Sequence, residues 1–518
     1  MSERDTEHSP RIAAWAPAIP ALIAALFAIP GLQLPFLADD WADLAYVVHS
    51  PIFRRTPFGY FRPLSQATYW LDFKLWGLAP GVSHLVNLIL ASAVTALVVI
   101  LVRRYVQNAS LAIATGVIFA LHPYHIENTA WIAARPEALY CLLFLCAALT
   151  YDRWRTTLRG VPIVTLMLFE AALLAKETAV TLPAFLLILG CFDQRRRPTF
   201  AEVTRGHMSL WGLALGHFLI LRSKALGGPG LDVFSNVGIR WLKNVLAFGV
   251  ASVVPAHTES IEARPVFWGI ASILAVGILL FAAYKNSGEI PRTAWIALPV
   301  FLALLGPSVV SFQSRYFLLP SAASSLALAA LLRATGSHAR AIILGFSIPC
   351  WLFFSAEQWV SWIEAGHVST RLISALVEIS RRPGVHEIVV ANMPHRVHGA
   401  PVNADFDAAV SLSGGGTVIV RKATAIDIPR PYADGLDGSL ETAIRYPPPF
   451  AEIKLRTPEG RFSRYVWPFR MQQSERIDTE WATIFFDRPD IVTIRITPAA
   501  ERGRTAYVWT RQGLKMLF

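Results

Sequence analysis

Two adjacent carboxylates, Asp39 and Asp40, stand directly after the first long apolar stretch, in the run Pro35-Phe-Leu-Ala-Asp-Asp-Trp41. Acids at a membrane surface beside a lipid-facing aromatic suit a reaction on a lipid-borne substrate better than they suit packing. A carboxylate at an apolar boundary is costly unless something uses it. The side chains Trp41, Leu44, Ala45 and Val48 repeat at helical spacing, so one aspartate can cap that helix. A cap needs only one acceptor, which leaves the second acid for catalysis. Asp40 is nearer the apparent helix start and is the better cap, so Asp39 is the favoured base. A glycosidase-like pair is rejected: it needs carboxyl groups about 5–9.5 Å apart flanking one bond, whereas neighbouring residues sit about 3.8 Å apart at Cα and point different ways.

Cations accompany the acids. Arg62 lies in Phe61-Arg-Pro-Leu64, Arg135 and Lys176 each end an apolar segment, and Arg315 precedes Tyr316. Snorkelling would explain Arg135 or Lys176 alone. Four cations beside carboxylates at a bundle mouth make a reasonable phosphate site, because Arg grips phosphate oxygens in pairs and Lys adds a point charge. The loop His122-Pro-Tyr-His-Ile-Glu127 offers His122, His125 and Glu127 as ligands for a divalent metal. Their spacing is not a zincin pattern, and hydrogen bonding at a helix start competes, so a divalent cation is the one cofactor left open. Glu170, inside an apolar segment, is either functional or paired with a group such as Lys176.

These residues need a membrane scaffold, and the composition supplies one. Of 518 residues, 54% are hydrophobic and 16% charged, more apolar content than a soluble core of this size normally needs. The fold class is a polytopic α-helical membrane protein. Apolar segments run from Ile12 to Leu34, Leu85 to Val102, Leu111 to Leu121, Ala138 to Tyr151, Val161 to Ala175 and Thr178 to Phe192. Others run from Met208 to Leu221, Val266 to Ala283, Ala294 to Val310, Phe317 to Leu332 and Ala341 to Ser355. That makes about eleven spans, several shorter than the roughly 20 residues that cross a bilayer. The first is too long for a signal-peptide core and lacks a clear cleavage site, so it reads as an uncleaved anchor.

The net charge of +11 sits largely in short loops, a pattern that orients a membrane protein and does not call for nucleic acid. Arg103-Arg104, Arg153 to Arg159 and Arg195 to Arg197 place those loops and the N-terminus, residues 1–11, in the cytoplasm. The loops carrying Asp39, His122 and Lys176 then lie outside, the first of them spanning 35–83. The stretch Arg240 to Pro255 is expected along the outer surface, which keeps Lys285, Arg292, Arg333 and Arg340 inside and exports the tail. Within the first outer loop, Leu64 to Leu78 mixes Tyr69, Trp70, Phe73 and Trp76 with Asp72 and Lys74, as expected of an interfacial helix. Cys141, Cys146, Cys191 and Cys350 lie in apolar stretches and read as small buried hydrophobes. The membrane domain covers 12–356. The tail, 357–518, changes to alternating runs such as Glu387-Ile-Val-Val-Ala391 broken by Pro and Gly, and is expected to form a β-rich or α+β extracytoplasmic domain.

The motifs form an ordered set. Asp39-Asp40, Phe61-Arg-Pro-Leu64 with His84-Leu-Val-Asn87, His122 to Glu127 with Trp131-Ile and Arg135, Leu174-Ala-Lys-Glu177 with Leu182-Pro183, and Arg315-Tyr-Phe-Leu-Leu-Pro-Ser321 resemble integral-membrane glycosyltransferases of the GT-C type. The nearest likeness is to protein O-mannosyltransferase-like enzymes whose eukaryotic members carry tetratricopeptide tails. It covers roughly Trp15 to Phe354, and the tail here has no tetratricopeptide pattern.

The resemblance implies a GT-C-like bundle in the inner or plasma membrane. It also implies a sugar, mannose or another hexose, carried on polyprenyl or dolichyl phosphate and transferred on the outer face to a glycan, lipid or protein hydroxyl. An acid of the first outer loop is then the base, which carries over to Asp39 or Asp40, with Glu177 and Tyr316 as further site candidates. The competing expectation is a transporter or flippase for a lipid-linked or amphipathic solute. A third is a non-catalytic membrane protein whose outer domain binds a partner.

Overall fold

The computed structural model describes residues 15–50, 60–192, 199–222, 238–305, 312–402, 405–428, 441–445, 451–456, 462–463, 465–466, 470–471, 476–488, 491–497, 503–510 and 513–517. Residues 1–11 and the run Arg195 to Arg197, both expected in the cytoplasm, lie outside them. The chain divides into two compact units. One comprises the residues through Gln33 and Tyr46–Trp359; the other comprises Leu34–Ala45 and Val360–Phe518. The head of the expected outer loop 35–83, with both aspartates, therefore groups with the C-terminal region.

The first unit is helical, and each apolar segment carries a helix. Four helices among the described residues are long and apolar enough to cross a membrane: Pro80–Val106, Ile132–Thr157, Pro265–Ser287 and Ser337–Ser380. A fifth span results if Ala109–Ala120 and Pro123–Ala130, bent by 58°, count as one. The other apolar segments form shorter helices, such as Ile163–Ala175, Glu177–Cys191 and Arg292–Leu305. The expected eleven thus become four or five full-length spans plus short pieces. The cause is local: Pro123 and the polar pair Lys176-Glu177 interrupt the hydrogen-bond ladder, and a π-helical turn, His217–Arg222, follows Met208–Gly216.

Helix starts follow the sequence. Proline occupies the first turn of Pro63–Trp76, Pro80–Val106, Arg135–Thr157, Pro265–Ser287 and Pro320–Ala334, where its missing N–H costs nothing. Asn108 caps Ala109–Ala120 by accepting the Leu111 N–H at 3.0 Å. Basic residues close several helices, including Arg103 and Arg104, Lys285 and Arg333, where they complement the helix dipole. The core is continuous across these helices, with Phe144, Phe169, Phe185, Phe248 and Phe317 fully or almost fully buried. Pro63–Trp76 is the expected aromatic helix of the first outer loop, and Gly238–Ala251 is a separate helix of 14 residues, too short to cross alone.

The second unit carries the expected β-rich domain. Its strands are β1 (Glu387–Val397), β2 (Ala400–Pro401), β3 (Ile419–Ile428), β4 (Glu441–Arg445), β5 (Ala451–Arg456), β6 (Phe462–Ser463), β7 (Tyr465–Val466), β8 (Arg470–Met471), β9 (Arg476–Asp478), β10 (Ala482–Arg488), β11 (Ile491–Ile496), β12 (Arg504–Thr510) and β13 (Gly513–Met516). One sheet runs β13-β12-β1-β3-β6, with β2 hairpinned onto β1; another runs β4-β5-β11-β10-β9. β1 pairs parallel with both β3 and β12, and the short helix Phe406–Leu412 lies between β2 and β3 in sequence. Alternating apolar residues face inward: Val389 and Ala391 of β1, Ala506 and Val508 of β12, and Ile484 and Val492 of the second sheet share one buried core. The β1–β2 turn, His398-Gly399, has positive φ at both positions (44° and 85°), the geometry of a two-residue hairpin turn.

Candidate active site

The acid-bearing segment is built into the second unit. Ala38 N–H donates to the Val402 carbonyl at 3.2 Å, while Val402 N–H donates to the His395 carbonyl at 2.9 Å, so the segment extends the β1–β2 hairpin by one bridge. Phe36, Leu37 and Ala38 are buried, and Phe36 meets Trp41 edge to face at 5.1 Å. Gly366 lies so close to the segment that a Cβ there would sit 3.0 Å from Pro35 Cδ. Ala38 has φ 46°, a left-handed conformation unusual for a non-glycine residue. Such strain persists only where surrounding contacts fix it, and it stands immediately before the two aspartates.

The aspartates then differ. Helix Asp40–His49 begins as Asp43 N–H donates to the Asp39 carbonyl at 2.9 Å, so Asp39 stands just ahead of the helix. Asp40 is buried, at 1% exposure. Its Oδ2 accepts the Leu37 N–H at 2.8 Å, and its own N–H donates to the Leu37 carbonyl at 2.9 Å. Asp40 therefore caps the loop that precedes the helix, where the sequence suggested a helix cap. Asp39 is half-buried and interacts electrostatically with Lys422 of β3.

In the helical unit, the chain gathers charge where helices end. Arg62, ahead of Pro63–Trp76, makes a forked pair with Glu177, Nε to Oε2 at 3.0 Å and Nη2 to Oε1 at 2.7 Å. Arg315, in the short 3-10 helix Ser314–Phe317, pairs with Glu127 at 3.0 Å and stacks over Trp131 at 4.4 Å. Lys176 interrupts two helices, pairs with Glu137, and lies over the Tyr316 ring at 4.4 Å. Arg62, Arg315, Glu127 and Glu177 all act on its charge. Five candidates from four separate stretches, Arg62, Glu127, Lys176 with Glu177, and Arg315, thus form one electrostatic cluster with Tyr316. Each arginine retains partial exposure, 17% for Arg62 and 18% for Arg315.

Arg135 is different. It is fully buried, pairs with Asp72 at 2.6 Å, donates to Asn87 Oδ1 at 2.8 Å and to the Ser83 carbonyl at 3.0 Å, and lies over Tyr69. Ser83 Oγ donates to Asp72 at 2.8 Å, which completes a closed network between helices Pro63–Trp76, Pro80–Val106 and Arg135–Thr157.

The histidine loop does not assemble as a metal site. His122 Nε2 bonds the Ala251 carbonyl at 3.2 Å, His125 bonds the Phe119 carbonyl at 2.8 Å and Ser321 Oγ at 2.9 Å, and Glu127 is held by Arg315. Among the described residues, no three His, Cys, Asp or Glu side chains form a metal-binding group. The two imidazoles are spent on backbone and hydroxyl partners that tie loop ends together. Glu170 pairs with His217 Nδ1 at 2.8 Å, where the sequence suggested Lys176.

Sequence reasoning missed Glu137, Asp72 as a partner of Arg135, and Lys422. Glu137 carried a signal, an acid directly ahead of a long apolar run, while Lys422 carried none because its strand is remote in sequence. Burial pushes the Lys422 ammonium below the usual lysine range, and the Asp39 carboxylate opposes that. His395 is pushed down to about 3, by burial first and then by Arg396 and Lys422, so it is neutral near pH 7.

No protein-family model matches the chain. It is 30% identical over 323 residues to protein O-mannosyl-transferase Tmtc1 of Drosophila melanogaster, covering 58% of this chain and 37% of that protein. It is 35% identical over 145 residues to human protein O-mannosyl-transferase TMTC1, covering 26% and 16% respectively. Human TMTC3 is 31% identical over 244 residues, covering 46% and 25%. The matched region thus spans between 16% and 37% of the length of these relatives. The resemblance read from the motifs holds in that the chain is similar to proteins named protein O-mannosyl-transferase.

Proposed function

We propose that the protein is an integral-membrane glycosyltransferase that moves a sugar, mannose or another hexose, from a polyprenyl-phosphate donor to an acceptor hydroxyl on the extracytoplasmic face. The observation that carries this reading is the similarity to protein O-mannosyl-transferases over 323 residues. The names of those relatives favour a protein hydroxyl as acceptor and count against the transporter reading.

The chemistry follows an inverting displacement. Asp39 takes the proton from the acceptor hydroxyl as its oxygen attacks the anomeric carbon. The bond from that carbon to the donor phosphate breaks, and the phosphate leaves with the electron pair. A positioned base contributes about 10²–10⁴-fold. The leaving phosphate needs no general acid, since its second pKa is about 6 by analogy with phosphorylated side chains, but it gains from cations. Asp40, whose carboxylate is bonded to Leu37, suits a positioning role, which favours Asp39 as base.

Among the cations, Arg62 and Arg315 are the better phosphate ligands, because each is partly exposed and already holds a carboxylate that a phosphate could replace, Arg62 by a guanidinium fork and Arg315 by Nη1 together with its backbone N–H. Lys176 would add charge from behind. Arg135, closed in by Asp72, Asn87 and Ser83, would position the surrounding helices.

The test is transfer from polyprenyl-phosphate mannose to a peptide bearing serine and threonine, using full-length protein in nanodiscs. Asp39→Asn should lower the rate at least 10²-fold. Wild-type rates in that variant, with normal expression, would remove the base assignment.

A further inference from the structure

Helices Pro80–Val106 and Arg135–Thr157 begin together and end together. Ser83 and Arg135, in their first turns, share the closed network with Asp72, while Arg104 and Arg155 stand in their last turns. At about 1.5 Å per residue each helix separates these ends by roughly 30 Å, the thickness of a bilayer's hydrocarbon core. Glu137, near the start of the second helix, holds Lys176 of the cationic cluster, so Arg104 and Arg155 mark the opposite end of the bundle. There these two helices and Leu182–Phe192 line a partly open cleft of about 320 Å³. Its lining is of two kinds: Leu101, Leu149 and Leu189 are apolar, whereas Arg104, Tyr105 and Arg155 are polar or basic.

Arginines at the end of a spanning helix ordinarily reach out to water along their own stems. Arg155 does not: its side chain is buried and held by Glu202, itself buried in the short helix that Thr199 caps. Arg104 is held by Asp152 of the neighbouring helix. Each pair orders a guanidinium while using only part of its five donors. Tyr151 also lines the cleft; it is 1% exposed, and its hydroxyl has no hydrogen-bond partner among the described residues. A buried hydroxyl in that state costs free energy unless a ligand or water supplies the partner. Six arginines, 103, 104, 153, 155, 159 and 205, face only two acids, Asp152 and Glu202, over residues 101–106, 148–159 and 199–207. The balance favours an anion.

We propose that this cleft binds the phosphate head group of an anionic phospholipid, with an acyl chain along its leucines. Basic pockets between spanning helices hold such head groups. Arg104 and Arg155 supply N–H donors to the phosphate oxygens, and the Tyr151 hydroxyl donates to another. The apolar lining suits a lipid better than free phosphate, which would leave the leucines without a partner. A bound lipid would join the ends of three helices at the membrane face opposite the cationic cluster. The site stands apart from sugar transfer and needs only the membrane setting.

The experiment is native mass spectrometry of the full-length protein in detergent micelles, titrated with phosphatidylglycerol, with phosphatidylcholine of the same acyl chains, and with inorganic phosphate. Wild type should retain phosphatidylglycerol about five- to tenfold more strongly than phosphatidylcholine. The double change Arg104→Gln, Asp152→Asn removes a cation of the cleft and leaves the net charge unaltered; it should weaken phosphatidylglycerol retention by about the same factor. Leu149→Trp, which fills the apolar lining, should weaken it as well. Arg153→Gln, at an exposed position outside the cleft, lowers the net charge and should change retention by no more than about twofold. Thermal unfolding establishes that each variant is folded. Equal retention of the two lipids by wild type, or a loss in Arg153→Gln as large as in the double variant, overturns the site in favour of general attraction to a basic surface. Displacement of phosphatidylglycerol by an equal concentration of inorganic phosphate makes the ligand a free anion and overturns the lipid. If the double variant does not fold, Leu149→Trp decides, and unchanged retention in it overturns the proposal.

Discussion

Arg62 and Glu177, 115 positions apart in sequence, meet in a forked ion pair whose two bonds measure 3.0 and 2.7 Å. The pair joins the start of the aromatic helix Pro63–Trp76 to the break after Ile163–Ala175, and both side chains keep partial exposure. An arginine held in this way is pre-shaped for a planar oxyanion. Lysine cannot reproduce the fork, so Arg62→Lys should lower transfer about tenfold or more although its charge is kept. Steady-state kinetics at saturating donor checks this; an unchanged rate would mean that only charge matters at this position.

Lys176 and Glu137 form a much more buried pair, with side-chain exposures of 5% and 2%. Removing one partner leaves the other charged in a dry site, so Glu137→Gln should destabilise the protein by about 3–5 kcal/mol. The double change Glu137→Leu, Lys176→Met removes both charges and should recover much of that loss while abolishing transfer. Denaturation in detergent separates the stability effect from the activity effect.

Ala38 and Gly366 test the positioning of the acid segment. With φ at 46°, Ala38 gains nothing from its Cβ, so Ala38→Gly should leave stability unchanged or raise it by up to about 1 kcal/mol. Ala38→Val places a branched side chain in the same left-handed conformation and should cost about 1–3 kcal/mol. Gly366→Leu meets Pro35 and Leu34 directly and should displace the segment, lowering transfer without loss of helix content by circular dichroism.

His395 supplies a pH signature for the C-terminal unit. Its folded pKa, about 3, lies below the unfolded value near 6.5. The unfolded state therefore binds the proton first as pH falls. The contribution of this group to stability is complete above about 6.5 and is lost progressively toward 3. His395→Gln should flatten the fall of the melting temperature between pH 7 and pH 4 relative to wild type. Parallel curves for the two proteins would show that His395 titrates normally.

Much of this architecture was legible in the sequence because membrane helices announce themselves: a long apolar run such as Leu85 to Val102 must satisfy its backbone internally, and proline marks where such helices start. The alternating runs around Glu387 and Val492 likewise foretold strands: the one at Val492 has a single buried face, whereas the one at Glu387, paired on both sides within its sheet, is buried on both. Span lengths were harder, because Pro123 and Lys176 break the helical ladder in the gaps beside apolar runs that hydropathy alone reads as full crossings.

The candidate residues were legible as types, and their partners were not. Arg62 could be named as a cation, but its pairing with Glu177 arises from packing between helices distant in sequence. The same holds for Lys422, which sits in an ordinary half-buried strand and gains meaning only because Asp39 folds with the C-terminal unit. The histidines left two roles open in the sequence for a physical reason: imidazoles at helix starts serve equally well as hydrogen-bond partners for backbone carbonyls, and His122 and His125 do that here.

The most direct test is to purify wild type and an Asp39→Asn, Asp40→Asn double variant in native lipid and to identify bound lipids by mass spectrometry against a mock membrane preparation. A transferase with an aspartate base should trap its donor when the base is removed, so a polyprenyl-phosphate sugar should be enriched on the variant and depleted on the turning-over wild type. That lipid would also name the sugar. If neither protein enriches any polyprenyl lipid, the proposed donor is contradicted.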